Sequence, residues 1–147
     1  LSFSSRDNGR TPMQWDNTLN AGFSSGIPWL PVNNNYQRTN VQAEDKDSTS
    51  ILNHFKRMVA LRKSNPILIY GKYQILQREH PDIYAYRREL KNESVLVLLN
   101  FTSKNSSIIL PELKSTHQVL INNYGTYFQE GEELNMKPYQ ALIFMIK

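Results

Sequence analysis

The sequence predicts a mainly β protein, in which an antiparallel β-sandwich of Greek-key type follows a loop-rich segment and one α-helix. Two observations predict this class. Short runs of β-branched and aromatic residues, separated by short polar linkers, recur from residue 67 onward, as in a small antiparallel unit. Before them lies a single stretch with helical periodicity, which follows a segment dense in turn-forming residues.

The composition limits the kinds of protein that this chain can be. Its 147 residues fit one ordinary domain, or a small domain joined to part of a larger one. The net charge is +4, and Lys and Arg are scattered rather than gathered in one block. A mildly basic, dispersed charge is typical of a solvated surface, so we predict no nucleic-acid partner.

Cysteine content and hydropathy further limit the kinds of site and partner that this chain can have. The sequence has no cysteine, which excludes a disulfide framework, a cysteine-based zinc site and a thiol nucleophile. It also has no run of about 18 apolar residues of the kind that spans a bilayer. We therefore expect no membrane partner. We predict a cytoplasmic location, with which the absence of cysteine is compatible.

Residues 1–46 form the loop-rich segment. Gly, Pro, Asn and Ser are frequent there, and these residues interrupt regular structure. The segment also carries large aromatic side chains that need a surface to pack against, namely Phe3, Trp15, Phe23, Trp29 and Tyr36. We expect much of that surface to be missing from this chain.

The predicted helix covers residues 48–64. Its apolar side chains recur at the spacing of one helix face, at Ile51, Leu52, Phe55, Met58 and Val59. Asp47 or Ser48 is expected to cap the first backbone N–H groups. Pro66 ends the helix, because proline lacks the backbone donor and disfavours helical geometry in the residue before it.

Seven β-strands are predicted after the helix. They cover residues 67–70, 73–78, 83–89, 95–101, 107–110, 118–122 and 139–146. Apolar and polar side chains alternate loosely in the third run, whereas the fourth begins with a continuous apolar stretch, as in a strand covered on both faces. Short strands with polar linkers favour a two-layer antiparallel sandwich.

A charged string stands out in the loop-rich segment, where residues 6–16 read RDNGRTPMQWD. Arginine and aspartate side chains hydrogen-bond sugar hydroxyls, and a tryptophan ring offers a flat apolar face to a pyranose. The string therefore suits sugar binding. A structural alternative explains the same residues: Arg6 and Arg10 pair with Asp7 and Asp16 and so hold the loop in place.

No catalytic pair is predicted within this chain. Glycoside hydrolysis needs two carboxyl groups about 5–5.5 Å apart for retention or about 6.5–9.5 Å apart for inversion. No acidic residue stands at the end of a recognisable barrel strand. His54, His80 and His117 are widely separated and lack the spacing of metal ligands. We predict no catalytic residue, no metal site and no cofactor.

The order of several motifs resembles one family. Residues 5–16 (SRDNGRTPMQWD) and 20–23 (NAGF) resemble the oligo-1,6-glucosidase and α-glucosidase branch of glycoside hydrolase family 13, the α-amylase family. Further segments follow in the same order as in that branch, among them PWLPVN at 28–33, ALRK at 60–63, IYAY at 83–86, LNF at 99–101 and KPY at 137–139. The resemblance covers essentially the whole chain.

The resemblance implies a catalytic (β/α)8 barrel followed by a C-terminal β domain. Residues 1–65 would be the end of the barrel with its last helix, and residues 66–147 would be the β domain. The retaining pair, an aspartate nucleophile and a glutamate acid/base, would lie before Leu1, so the fragment by itself is expected to be inactive. By its place in the motif, Arg6 is the residue that would hydrogen-bond the substrate glucose.

The resemblance also implies a reaction. The full-length protein would hydrolyse terminal α-linked glucose from short oligosaccharides with retention, and glucose-containing oligosaccharides would be its partners. A rival hypothesis remains open, namely a non-catalytic, glucosidase-like interaction or sugar-binding module. An aspartate and glutamate set on barrel strands in the preceding sequence would favour the enzyme.

Overall fold

The computed structural model describes residues 6–146, apart from the side chains of Arg6 and Asn8. The chain divides into two units, Leu1–Ala60 and Leu61–Lys147. Turns and helices build the first unit, and antiparallel strands build most of the second. Among the described residues, no helix is both long and apolar enough to cross a bilayer.

Short 3-10 turns come before the helices of the first unit. The turns are Arg6–Gly9, Leu19–Gly22 and Asn34–Gln37. The helices are α1 (Val41–Lys46) and α2 (Ile51–Ser64). The second turn is unusual, since Asn20, Ala21 and Gly22 all adopt left-handed φ angles, of 54°, 59° and 65°. The loop-rich character predicted for this segment is therefore confirmed, with α1 as an additional short helix.

α2 begins at Ile51, later than predicted, because Ser50 provides its cap. The Ser50 hydroxyl accepts the Asn53 N–H at 3.1 Å. Asp47, one of the two predicted caps, instead accepts the N–H and the hydroxyl of Thr49, at 2.8 and 2.7 Å. The Asn53 amide also donates to three carbonyls at the end of α1. Side-chain capping therefore fixes the turn between the two helices.

The second unit contains an antiparallel sandwich. Its five-stranded sheet has the order β1-β2-β3-β8-β5, and its three-stranded sheet has the order β4-β7-β6. The strands are β1 (Lys72–Leu76), β2 (Ile83–Leu90), β3 (Glu93–Asn100), β4 (Ser106–Ile109), β5 (His117–Asn122), β6 (Phe128–Glu130), β7 (Glu133–Met136) and β8 (Ala141–Ile146). Because the last strand lies between β3 and β5, the connections cross as in Greek-key units. The predicted mainly β fold is confirmed.

The core of the second unit lies between its two sheets. Side chains alternate along β2, so that Ile83 and Ala85 are buried while Tyr84 is exposed. The buried side chains of this core are Ile83, Ala85, Leu96, Leu98, Ile108, Leu110, Leu113, Leu134, Met136, Leu142 and Phe144. The other face of the large sheet is covered in part by a short helix, α3 (Ile67–Tyr70), which packs against β2 and β3. This cover explains the continuous apolar stretch in β3.

α3 replaces the first predicted strand, so that prediction is wrong. Pro66 comes before the turn with φ −53° and ψ −29°, which are helical values. The Arg88 guanidinium then satisfies the carbonyls at its end, donating to Leu68 at 2.7 Å and to Gly71 at 3.2 and 3.3 Å. A four-residue apolar run fits a strand and a buried helical turn equally well, so periodicity does not distinguish them.

β6 and β7 are missing from the sequence-based prediction. They have three and four residues, too few for alternation to give a clear signal. Gly131, with φ 58°, makes the tight connection between them. The last strand also begins at Ala141 rather than at residue 139, because Tyr139 adopts a left-handed φ of 54°, which is incompatible with an extended strand.

Candidate functional site

The charged string begins with one tight turn, which Arg10 closes. The Arg10 backbone N–H donates to the Asp7 carbonyl at 3.0 Å, and its guanidinium donates to Asp7 Oδ1 at 2.6 Å. The two side chains are 46% and 52% exposed, so this ion pair contributes less than about 1 kcal/mol. Arg6, the predicted glucose contact, has its backbone in the same turn, and its side chain lies outside the described residues.

Asp16, at the other end of the string, accepts hydrogen bonds from Thr18 and from no arginine among the described contacts. The Thr18 N–H and hydroxyl lie 2.8 and 2.5 Å from Asp16 Oδ1. These hydrogen bonds, the hydroxyl one first, lower the pKa of Asp16 below its ordinary value. Gly22 has a left-handed φ of 65°, and a Cβ there would stand 2.6 Å from Asp16 Oδ2, so a larger residue would be strained and would displace the Asp16 carboxylate. The structural alternative is therefore correct for Asp7 and Arg10, whereas the side chain of Arg6, the other arginine that it invokes, lies outside the described residues.

Backbone hydrogen bonds join the string to α1. The first two N–H groups of α1 donate to the carbonyls of Gln14 and Trp15, both at 2.9 Å. Asn40 is 5% exposed and caps the same helix, since its Oδ1 accepts the Ala43 N–H at 2.8 Å. This cap role of Asn40 was not predicted, although an asparagine immediately before a short helix is a recognised cap signal.

Many large apolar side chains of the first unit are exposed rather than gathered in a core. Ile27 is exposed on 98% of its surface, Trp29 on 86% and Ile51 on 84%. We call this set the apolar surface of the first unit: Met13, Trp15, Leu19, Phe23, Ile27, Trp29, Ile51 and Phe55. Monomeric proteins rarely expose so much apolar area without a partner. Of the five aromatic side chains that were expected to need a further surface, Trp15, Phe23 and Trp29 are exposed. Tyr36 is half-buried, and Phe3 lies outside the described residues.

An open cavity of about 570 Å³ lies between the string and α2. Its walls include apolar side chains from Pro12, Met13, Val41, Leu52 and Phe55. Glu44 is the one acid among its described lining residues. A sugar site combines an apolar wall with several convergent polar groups, whereas this cavity is lined mainly by apolar atoms. It suits the packing of another apolar element.

Many of the described acids have partners within the fold. Ion pairs hold six of them: Asp7 to Arg10, Asp45 to Lys56, Asp82 to Lys104, Glu89 and Glu112 to Arg87, and Glu132 to Lys114. The Thr49 hydroxyl and N–H lower the pKa of Asp47 below its ordinary value. A carboxyl group that acts as general acid at neutral pH needs a raised pKa instead. The shifts of Asp16 and Asp47 have the opposite sign.

The predicted absence of metal ligands was based on three separated histidines. His80 uses both ring nitrogens within the fold: Nδ1 accepts the N–H groups of Asp82 and Ile83, and Nε2 lies 3.0 Å from the Ser107 carbonyl. The His117 ring packs against the core, with its centroid 4.6 Å from that of Phe144. In the part of the chain that the structure describes, no three potential ligands lie close enough together for a metal ion.

Tyrosines of β1 and β2 form a cross-strand aromatic cluster. The Tyr73 and Tyr84 hydroxyl oxygens are 2.6 Å apart, and the Tyr86 ring lies 5.3 and 5.6 Å from theirs. Burial raises the pKa of Tyr86 above its ordinary value, and the hydrogen bond to Tyr84 raises the pKa of Tyr73. Such pairs stabilise the pairing of adjacent strands.

Two family models match the chain in succession. The alpha amylase catalytic domain matches residues 1–71, and the alpha-amylase SusG C-terminal domain matches residues 83–143. The oligo-1,6-glucosidase of Parageobacillus thermoglucosidasius is 40% identical over 100% of this chain and 27% of its own length. That of Bacillus cereus is 41% identical over 97% of this chain and 26% of its own. The chain thus spans about a quarter of these relatives.

Solved structures show the same relation. The trehalose-6-phosphate hydrolase of Bacillus licheniformis superposes with a TM-score of 0.86 at 36% identity, over 97% of this chain and 27% of that protein. The isomaltulose synthase of Klebsiella sp. LX3 superposes with a TM-score of 0.87 at 39% identity, over 97% and 26%. With the catalytic-domain and C-terminal models matched in order, the chain belongs to the α-amylase family, glycoside hydrolase family 13.

Proposed function

We propose that this chain is the C-terminal part of a retaining α-glucosidase that releases terminal α-linked glucose from short oligosaccharides. The alignment carries this proposal, because two oligo-1,6-glucosidases match 97–100% of the chain at 40 and 41% identity. A trehalose-6-phosphate hydrolase of Escherichia coli matches 100% of it at 36% identity. Glucose-containing oligosaccharides would therefore be the substrate class of the whole enzyme.

The catalytic carboxylates of this enzyme would lie outside these 147 residues. Retaining hydrolysis needs a nucleophile and an acid/base about 5–5.5 Å apart. The acids with ion-pair or threonine partners are already used to hold the local fold. The lowered pKa values of Asp16 and Asp47 disfavour proton donation at neutral pH. We infer that the chain alone does not cleave glycosides.

Residues 1–65 would be the end of the catalytic barrel, and residues 66–147 would be the β domain. The apolar surface of the first unit supports this division, since barrel helices and loops bury such side chains against their neighbours. The cavity between Pro12 and Phe55 is a place for one such contact. The second unit differs in having a core of its own, in which eleven buried apolar side chains meet between two sheets.

Arg6 would hydrogen-bond the glucose at the non-reducing end. The described neighbours support a positioning role for the residues around it. Arg10 binds Asp7 and thereby closes the turn in which the Arg6 backbone lies. A guanidinium group supplies several donors in a fixed plane, which suits both a sugar hydroxyl and a nearby carboxylate.

The test compares Arg6→Ala with Arg10→Ala in the complete protein that carries this chain. Maltose, isomaltose, sucrose, trehalose and trehalose 6-phosphate serve as substrates. Loss of a hydrogen bond from a charged donor costs about 1.5–3 kcal/mol, so Arg6→Ala should lower kcat/KM about 10- to 150-fold. Arg10→Ala should have a smaller effect, since the pair that it removes is exposed. Residues 1–147 alone should release no glucose.

The same panel of five sugars distinguishes the proposed hydrolase from the rival, non-catalytic function. A complete protein without hydrolase activity on any of the five sugars would favour the non-catalytic interaction or sugar-binding module. Glucose release by residues 1–147 alone, abolished by mutation of a local acid, would contradict the assignment of the carboxylates to another segment. Equal activity of the Arg6→Ala variant and the unmodified protein would remove Arg6 from the site.

The cytoplasmic location stays a prediction, with the absence of cysteine as its support. Fractionation of cells that express the natural gene tests it, and recovery of the protein outside the cytoplasmic fraction would contradict it.

A further inference from the structure

A second cavity, of about 430 Å³, lies at one end of the three-stranded sheet. Its lining includes two aromatic rings, Tyr127 and Phe128, two amides, Asn105 and Asn135, and Lys137. Phe128 and Asn135 face each other in the register of β6 and β7, so the ring and the amide lie side by side. Phe128 is 61% exposed and is not part of the buried core.

We propose that this cavity is a non-catalytic binding site for a neutral oligosaccharide built from glucose. An exposed aromatic ring offers an apolar face to the C–H groups of a pyranose, and amides both donate to and accept from its hydroxyls. Among the described hydrogen bonds, the side chains of Asn105 and Asn135 take part in none, so their polar atoms face the cavity or water. The combination of ring and free amides is that of a sugar site.

The charges of the lining argue against other ligands. Lys137 is the one charged residue among the described lining residues. A divalent cation needs oxygen ligands that include carboxylates, and a polyphosphate needs several cations or a row of backbone N–H groups. The Lys137 ammonium group also lies 5.2 Å from the centroid of the Tyr124 ring, so its charge already takes part in a cation–π contact. The aromatic and amide lining therefore favours a neutral, hydroxyl-rich ligand. The choice of glucose rests on the proposed function.

The frame of the cavity is held rigidly by Gln140, which is 1% exposed. Its Oε1 accepts the Lys137 N–H at 2.9 Å. Its Nε2 donates to the Thr126 carbonyl at 3.0 Å and to Asn122 Oδ1 at 3.1 Å. One buried amide thus joins the segment before β6 to the segment after β7. A preformed frame lowers the ordering cost of binding.

The turn next to Lys137 is strained, and several hydrogen bonds maintain it. Tyr139 has a left-handed φ of 54°, which non-glycine residues rarely adopt. Its N–H donates to the Thr102 carbonyl at 3.1 Å, and its carbonyl accepts from the Asn123 amide at 2.9 Å. The Asn100 amide donates to the Lys137 carbonyl at 2.9 Å. Strain that the surroundings maintain in this way is often found at binding sites.

The test uses the 147-residue chain, uniformly labelled with ¹⁵N, and titrates it with maltotriose or isomaltotriose. We expect the side-chain NH₂ signals of Asn105 and Asn135 and the backbone signal of Phe128 to shift with one dissociation constant. Phe128→Ala should weaken binding about 3- to 10-fold, the range expected for a lost aromatic contact. Phe128→Tyr keeps the ring and should retain binding. Phe101→Ala is the matched control, since Phe101 is 68% exposed and lies outside this cavity.

Three results would overturn the proposal. The cavity signals could stay unshifted at the solubility limit of both sugars. Phe128→Ala could bind as tightly as the unmodified chain, with an unchanged melting temperature. Phe101→Ala could weaken binding as much as Phe128→Ala, which would show unspecific stacking. Hydrolysis of a small aryl glucoside by the complete Phe128→Ala protein should equal that of the unmodified enzyme, so failure of this site and failure of the proposed reaction are separately visible.

Discussion

Replacement of Gly71 by alanine tests the packing of α3 against the large sheet. Gly71 follows α3 with φ −59° and ψ 140°, values that any residue adopts. The need for glycine is therefore a matter of space. A Cβ would stand 2.4 Å from the Ile67 carbonyl oxygen and 3.2 Å from Arg88 Cβ. The same carbonyl accepts the Gly71 N–H at 3.0 Å, so a shift that relieves the clash also breaks the last hydrogen bond of α3.

The expected loss of stability follows from these two effects. Forcing an additional carbon into a packed site costs about 1–3 kcal/mol, and the lost hydrogen bond adds about 1 kcal/mol. Gly71→Ala should therefore destabilise the second unit by about 2–4 kcal/mol. That is a large fraction of the stability of a small domain, which is about 5–15 kcal/mol.

Amide hydrogen exchange measures this loss. Leu96 and Leu98 are fully buried in β3, so their slowest exchange reports unfolding of the unit. In the Gly71→Ala variant, the hydrogen exchange of these two amides should accelerate about 30- to 1000-fold. Gly125→Ala is the control, because Gly125 has φ 74° and open space around its Cα, so alanine there costs only the left-handed strain of about 1–2 kcal/mol. A larger effect of Gly125→Ala than of Gly71→Ala would refute the steric explanation.

Two further changes test the first unit. Thr18→Val removes a donor to Asp16, so the pKa of Asp16 should rise toward its ordinary value while that of Asp47, bound by Thr49, stays lowered; ¹³C NMR titration of the carboxyl carbons checks both. A lowered pKa stabilises the fold above the unfolded-state value of about 3.9, and this stability is lost as the pH falls through the folded-state value. The Thr18→Val variant should therefore lose less stability below about pH 4 than the unmodified protein does. Equal losses would contradict the conclusion that Thr18 lowers the pKa of Asp16. Trp29 is 86% exposed, so iodide should quench the chain strongly and the complete protein weakly; equal quenching would mean that no barrel covers this surface.

The sequence predicted the elements with long, clear patterns. α2 repeats its apolar residues over fourteen positions, which is enough for a 3.6-residue period to be recognised. β3 has a continuous apolar stretch because both of its faces are covered, by the core on one side and α3 on the other. In β3, burial of the side chains and local propensity agree, whereas in α2 the periodicity alone was sufficient, because the apolar face of that helix is exposed at Ile51 and Phe55.

Apart from the short strands β6 and β7, the misses occurred where a distant residue stabilises the local structure. α3 is helical because Arg88, from another element, donates to its terminal carbonyls. Tyr139 departs from the predicted strand because Asn123 and Thr102 bind its backbone in a left-handed conformation. None of these partners is adjacent in sequence to the residue that it binds, so a short sequence window does not contain the interaction that determines the conformation.

The candidate site was predictable in part. The order of charged residues from Arg6 onward pointed to a sugar-binding loop and to the family, whereas the contacts within the loop did not follow from it. Arg10 binds Asp7, as one hypothesis had it, but Asp16 binds Thr18 two residues away. A short polar side chain next to a turn commonly bonds to the backbone two residues on, and this local option competes with a distant arginine.

The two units derive their stability from different sources. In the second, apolar side chains meet between the sheets, so the main favourable term is internal. In the first, side-chain and backbone hydrogen bonds fix the turns, but each contributes only about 1 kcal/mol net, while ordering one residue costs about 1–2 kcal/mol. Full burial of one large apolar side chain contributes about 1.5–3 kcal/mol, so covering the eight side chains of the apolar surface would contribute on the order of 10 kcal/mol. The local sequence therefore specifies the turns of this unit, whereas under the proposed function its stability would depend on the barrel. Folding of this unit and completion of the sugar site would then be one event.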